Sequence, residues 1–119
     1  MAEGYEPRPY GYNTEYITFN QTYISASFAS RKKTYGNVVF LTGNITTTNA
    51  IPEDYADALI STDVPVINDN YPCSVGLVRF DDGTTGLLTI TNQGLCINPR
   101  GANIKSKQGN FFATYIASD

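Results

Sequence analysis

Residues Tyr35 to Thr48 read YGNVVFLTGNITTT, and this stretch decides the fold. Val38, Val39, Phe40 and Leu41 form an unbroken apolar run, followed by Ile45 and a series of threonines. Side chains alternate across a strand, so Val39 and Leu41 point one way and Val38 and Phe40 the other. A strand that is apolar on both sides is either sandwiched, or covers a core on one face and a partner on the other. Tyr35-Gly36-Asn37 in front of it reads as a turn, because Gly and Asn tolerate the backbone angles a turn demands.

Working outward, Thr22 to Arg31 reads as the preceding strand. Ile24, Ala26 and Phe28 alternate with Ser25, Ser27 and Ala29, the period of a half-buried strand. Downstream, Asn49 to Asn70 is irregular. Ile51 to Ala56 has the look of one helical turn, and Ala58-Leu59-Ile60 and Val64-Pro65-Val66-Ile67 read as short strand pieces in a long connection. Ser74–Phe80 and Gly86–Thr91 then read as strands joined by the hairpin loop Asp81-Asp82-Gly83-Thr84-Thr85. Leu95–Asn98 is another strand, Lys105–Asn110 a polar loop, and Phe111–Ile116 the closing strand. Six to eight short strands with turn signals between them make the pattern of an all-β antiparallel sandwich or barrel, and a β-sandwich of jelly-roll type is the expected form. Residues 1–20 stand apart: Pro7, Pro9, Gly4 and Gly11 among Tyr5, Tyr10, Tyr12 and Tyr16 predict an N-terminal arm or linker. The expected organisation is therefore an arm over 1–20 and a sandwich domain over 21–119.

At 119 residues the chain is long enough for one such domain and one core. Its net charge of −3 argues against nucleic acid, which selects a basic face. Arg31-Lys32-Lys33 is the densest basic cluster; it reads as a solvated strand end, with a small anion patch as the alternative. No apolar run approaches the ~20 residues of a membrane span, and the first residues lack the pattern of a secretory leader. Folding in a reducing cytosol is the expectation. Cys73 and Cys96 then read as small buried thiols, with a disulfide as the alternative.

The catalytic inventory is poor. The sequence has no histidine, the commonest general base and zinc ligand. Asp81-Asp82 falls in a hairpin tip, and Glu53, Asp54 and Asp57 flank the possible helical turn. Turn and cap roles explain both groups better than a glycosidase pair or a calcium site. No phosphate-binding glycine loop is present. The expectation is a protein that is not an enzyme and takes no cofactor or metal. Asn20-Gln21-Thr22 and Asn44-Ile45-Thr46 match the glycosylation sequon by chance in an Asn- and Thr-rich chain. The binding vocabulary is richer, with nine tyrosines and abundant Asn, Thr and Ser. Tyrosine rings stack on the C–H face of sugars, while Asn and Arg exchange hydrogen bonds with hydroxyls. The candidate ligand contacts lie in loops: Asn70 and Tyr71 before Pro72, and Arg100, Asn103 and Lys105 after Leu95–Asn98.

The order of these pieces resembles a known family. Tyr35-Gly36-Asn37-Val38-Val39 leads to Leu41-Thr42-Gly43-Asn44-Ile45-Thr46. An irregular crossover with Val64-Pro65 and Tyr71-Pro72 follows, then Val78-Arg79-Phe80, Leu88-Thr89-Ile90-Thr91-Asn92-Gln93-Gly94-Leu95 and Phe111-Phe112-Ala113-Thr114-Tyr115. Over residues 22 to 117 this is similar to the C-terminal receptor-binding head of bacteriophage and prophage tail-fibre or baseplate proteins of Gram-positive hosts. One departure is the segment before Pro72, often basic in that family and here Asn70-Tyr71. The resemblance implies a homotrimeric, non-catalytic head that adheres to a host cell-wall saccharide. It would be carried on the virion at the tail tip or baseplate, made in the host cytoplasm, and joined to other tail proteins through the N-terminal arm. It implies no nucleic-acid or membrane partner. A structural virion component without a ligand, and a monomeric carbohydrate-binding module, are the competing readings.

Overall fold

In the computed structural model, which describes residues 12–118, the run from Val38 forms β3 (Val38–Thr47). It follows β1 (Tyr12–Tyr16) and β2 (Ile24–Tyr35), and precedes β4 (Ala58–Ser61), β5 (Cys73–Phe80), β6 (Thr85–Ile90), β7 (Leu95–Asn98) and β8 (Gln108–Ile116). All neighbouring strands are antiparallel, in the order β1-β2-β3-β8-β5-β6-β7-β4. The all-β antiparallel class read from the sequence is the one adopted. The layers are continuous parts of one curled sheet.

Curling brings the two ends of that sheet together. The segment after β1 donates Asn20 N–H to the Ile60 carbonyl at 2.7 Å, and Ser61 Oγ donates to the Thr18 carbonyl at 2.7 Å. Thr18 N–H reaches Asp63 Oδ2 at 2.9 Å, and Lys32 Nζ sits 2.7 Å from Asp63 Oδ1. This seam satisfies backbone groups that two open sheet edges would leave bare.

One core fills the interior. Val39, Leu41 and Ile45 of β3 meet Phe111 and Ala113 of β8, Val78 and Phe80 of β5, and Leu88, Ile90, Leu95 and Ile97 of β6 and β7. Ile51 and Ile104, from two loops, plug one end. The other face of β3 is uncovered: Phe40 is 48 % exposed, whereas Val39 and Leu41 are fully buried. Of the two sequence alternatives for a doubly apolar strand, this is a core on one side and an open face on the other.

Register fixes two poles. Tyr12 pairs with Tyr35, Tyr35 with Val38, and Val38 with Ile116, so the described chain begins and ends at one pole. The loop over 62–72 and the turn over 91–94 share that pole, because Ser61 pairs with Leu95 and Cys73 with Ile90. The loops over 48–57, 81–84 and 99–107 occupy the opposite pole.

Several expectations need correction. Within the expected arm over 1–20, residues 1–11 lie outside the described part. Residues 12–16 form β1, and Ile17 enters the core. Phe28 and Ala26 do not face inward. Register shifts between Ile24 and Ala26 and between Phe28 and Arg31 reverse the alternation of β2, and Ala29 takes a φ of 54°. Ser30 therefore turns inward, its hydroxyl on the Asn44 carbonyl at 3.2 Å, and Phe28 is left 76 % exposed. The bulge needs Gly43 opposite it, since a Cβ there would overlap both the Ser30 side chain and its backbone Cα. No helical turn forms over 51–56, and Val64–Ile67 is not a strand, as Pro65 denies it a ladder donor. Lys105–Asn110 is loop only to Lys107, after which β8 begins. The cysteines are unpaired, Cys96 buried but Cys73 exposed. Burial, helped by nearby Asp57, pushes the Cys96 thiol up to about 11.

Candidate functional site

At the pole away from the chain ends, β7 runs out at Asn98 and the chain turns through Pro99-Arg100-Gly101. Arg100 and Gly101 both adopt left-handed backbone angles, φ 54° and 83°. Glycine does this freely, whereas an arginine must be held there. The holding group is Asn98. Its Oδ1 accepts the Arg100 N–H at 2.9 Å, while its Nδ2 donates to the Tyr55 carbonyl at 2.7 Å and to Asp57 Oδ1 at 3.1 Å. One side chain thus ties the 99–107 loop to the 48–57 loop.

The two loops meet along their backbones as well. Gly101 N–H donates to the Asp54 carbonyl at 3.0 Å, and a Cβ on Gly101 would press on the Tyr55 ring at 3.2 Å. Tyr55 is 65 % exposed, with the Arg100 guanidinium 5.6 Å from its ring centroid. Arg100 makes no ion pair among the described residues, so its donors face solvent beside the ring. Nearby, Lys105 pairs with Glu53 at 3.2 Å, and Asn103 Oδ1 accepts the Lys105 N–H at 3.1 Å. The result is an exposed aromatic face edged by a guanidinium. Such a surface stacks on an apolar ring face and donates to hydroxyls at the ring's edge.

The carboxylates here are already engaged. Asp54 Oδ1 accepts the Ala56 N–H at 2.8 Å, Asp57 holds Asn98 and the Thr89 hydroxyl, and Glu53 holds Lys105. Asp82 belongs to the adjacent hairpin. Lys107 at 2.6 Å, then the Thr84 hydroxyl and N–H, keep its carboxyl well below the usual range. Among the described residues no group of His, Cys, Asp and Glu is arranged to hold a metal ion. No helix in the described residues is long and apolar enough to cross a membrane.

The five residues singled out in the sequence do not converge. Arg100, Asn103 and Lys105 lie at this pole. Asn70 and Tyr71 lie at the other, where Tyr71 N–H donates to Asp69 Oδ1 at 3.0 Å and the Asp69 carbonyl takes Asn92 N–H at 2.8 Å. Tyr71 is 76 % exposed there, far from the Tyr55 ring. Sequence reasoning missed Tyr55 and Asn98. The signal for Asn98 was the Asn-Pro-Arg-Gly string, a turn that an Asx side chain organises. Tyr55 carried no local signal, because its partners come from 43 residues away in the chain.

Away from the Tyr55 face, a concavity of about 360 Å³ lies at the seam among Glu15, Lys32, Thr34, Thr62, Asp63, Val64 and Pro65. Its charged groups satisfy one another. Lys32 Nζ reaches both the Asp63 carboxylate and its carbonyl at 2.7 Å, with Glu15 at 3.6 Å. That arrangement closes the sheet and leaves little for a ligand.

No family model, no curated protein and no solved structure matches this chain.

Proposed function

We propose that the chain is a non-catalytic adhesion head of the phage-tail receptor-binding type, and that it holds a host-surface saccharide on the Tyr55–Arg100 loops. The observation that carries this reading is the Tyr55 ring, kept exposed and edged by an unpaired guanidinium through the Asn98 bonds. Sugars select that combination of apolar face and fixed donors. Weak contacts of this kind become useful when several copies act together, which fits a homotrimer on a virion at the tail tip or baseplate. Support for subunit contact comes from the outward face of the sheet. Thr42, Phe112, Leu77 and Leu87 form one cross-strand row there, with Phe112 53 % exposed. Attachment to other tail proteins through residues 1–11 belongs to the same reading.

A glycan array probed with the full chain and with Tyr55→Ala and Arg100→Ala tests the site. Loss of most glycan signal in both variants, with unchanged melting, supports it. Wild-type protein that assembles but captures no glycan and no host cell would favour a structural virion component instead. A glycan-binding monomer would favour a single carbohydrate-binding module.

A further inference from the structure

The basic triplet Arg31-Lys32-Lys33 is divided by the pleat of β2. Lys32 turns to the seam, whereas Arg31 and Lys33 emerge on the outward face of the sheet. Lys33 stands opposite Phe40, and Tyr35 follows it one step along the same face. Between them lies a concavity of about 400 Å³ lined by Lys33, Thr34, Tyr35, Phe40 and Thr42. Tyr35 is 51 % exposed, so both aromatic walls are open to a ligand.

The charges on this face are one-sided. Arg31 and Lys33 come from β2 and Arg79 from β5, while β3 and β8 contain no charged residue. Glu15 is the one carboxylate found in any of the eight strands, and it lies 3.6 Å from Lys32 on the seam side. Lys33 and Arg79 have no ion pair among the described residues, and Arg31 is engaged only with the Tyr16 ring at 5.5 Å. In a chain of net charge −3, Lys33 standing without a counter-charge between two aromatic walls, with Arg31 two residues along the same face, calls for an anionic ligand with an apolar face.

We infer that this concavity binds an anionic saccharide, a sugar bearing a carboxylate or a phosphate. Tyr35 and Phe40 take the C–H face of the ring, and Lys33 with Arg31 takes the acid. A single acidic substituent needs cations only within the roughly 8 Å screening length of physiological salt. A nucleic acid needs a continuous basic track, which two cations do not make. The surface is distinct from the Tyr55–Arg100 loops at the far pole, so either saccharide site can fail without the other; it shares Thr42 with the row that supports subunit contact, so a trimer built on that row has to leave Lys33, Tyr35 and Phe40 open.

The test is an NMR titration of the full chain with trigalacturonic acid, with its methyl ester as the uncharged match, and with glucose 6-phosphate for the phosphate source. The acid, the phosphate or both should move resonances around Lys33 and Phe40. The charged form should bind roughly fivefold tighter than its neutral match, the scale of one exposed ion pair. Lys33→Gln should erase that difference, and Phe40→Ala should weaken charged and neutral forms together. Both positions are solvent-exposed, so the variants should fold, and their amide spectra report it directly. Equal binding of charged and neutral forms would overturn the inference. So would binding indifferent to Lys33→Gln and Phe40→Ala, shifts confined to the Tyr55 loops, or a contact between copies that covers Phe40 and excludes every probe.

Discussion

Asn98 is the residue on which the candidate site turns. Three hydrogen bonds from one side chain hold two loops, so Asn98→Ala removes a donor pair and an acceptor at once. The expected cost is about 1–3 kcal/mol of folding stability, read as a lower melting temperature, together with loss of glycan capture. Asn98→Asp separates the roles further. It keeps the acceptor for Arg100 N–H but sets a carboxylate against both the Tyr55 carbonyl and Asp57 Oδ1, so it should cost more stability than Asn98→Ala in the same melts. Tyr55→Ala should do the reverse, losing capture while melting within about 0.5 kcal/mol of wild type, as exposed surface positions do. At this scale the sequence was half informative. Arg100, Asn103 and Lys105 were legible because Asn, Pro and Gly write turns locally. The ring they serve was not, since Tyr55 joins them only through contacts that cross the fold.

Strands were legible where their burial is simple. Val38–Thr47 and Leu95–Asn98 carry apolar runs whose ends coincide with Gly or Asn, and the structure keeps those boundaries. β2 was misread because alternation in sequence equals alternation in space only while the ladder is regular. Its two shifts carry Phe28 outward and Ser30 inward, and nothing in the string ISASFASRKK marks where they occur. The mark lies on the opposite strand, at Gly43. Gly43→Ala should therefore destabilise by about 1–3 kcal/mol through overpacking against Ser30. A paired Ser30→Gly change should recover little of that loss, because the Ser30 Cα still stands against the added methyl, and the two changes should come out near-additive in denaturant melts.

Across the whole molecule, the seam decides acid stability. Lys32 chiefly, then Thr18 N–H, hold the Asp63 carboxyl below its ordinary 3.8. A carboxyl depressed in the folded state stabilises fully above that ordinary value and loses the contribution as pH falls through the folded value. Denaturant melts at pH 5 and pH 3 should therefore diverge more for wild type than for Asp63→Asn, and the bridge itself should be worth about 1 kcal/mol. Assembly belongs to this scale too. On the proposed reading, light scattering gives three copies per particle, and Phe112→Lys shifts the mass toward one. The all-β class was readable from turn spacing, but closure was not, because Asp63 and Lys32 are 31 residues apart and belong to segments with no shared pattern.

The two poles carry a mechanical consequence. Tyr12 and Ile116 are three strand spacings apart along one row, roughly 15 Å, and both emerge opposite the Tyr55 loops. A load applied through either end is therefore received by β1 or β8 at the far side of the sheet. A short tether held at Tyr12 or Ile116 presents the Tyr55 ring outward, displaying the loops rather than burying them.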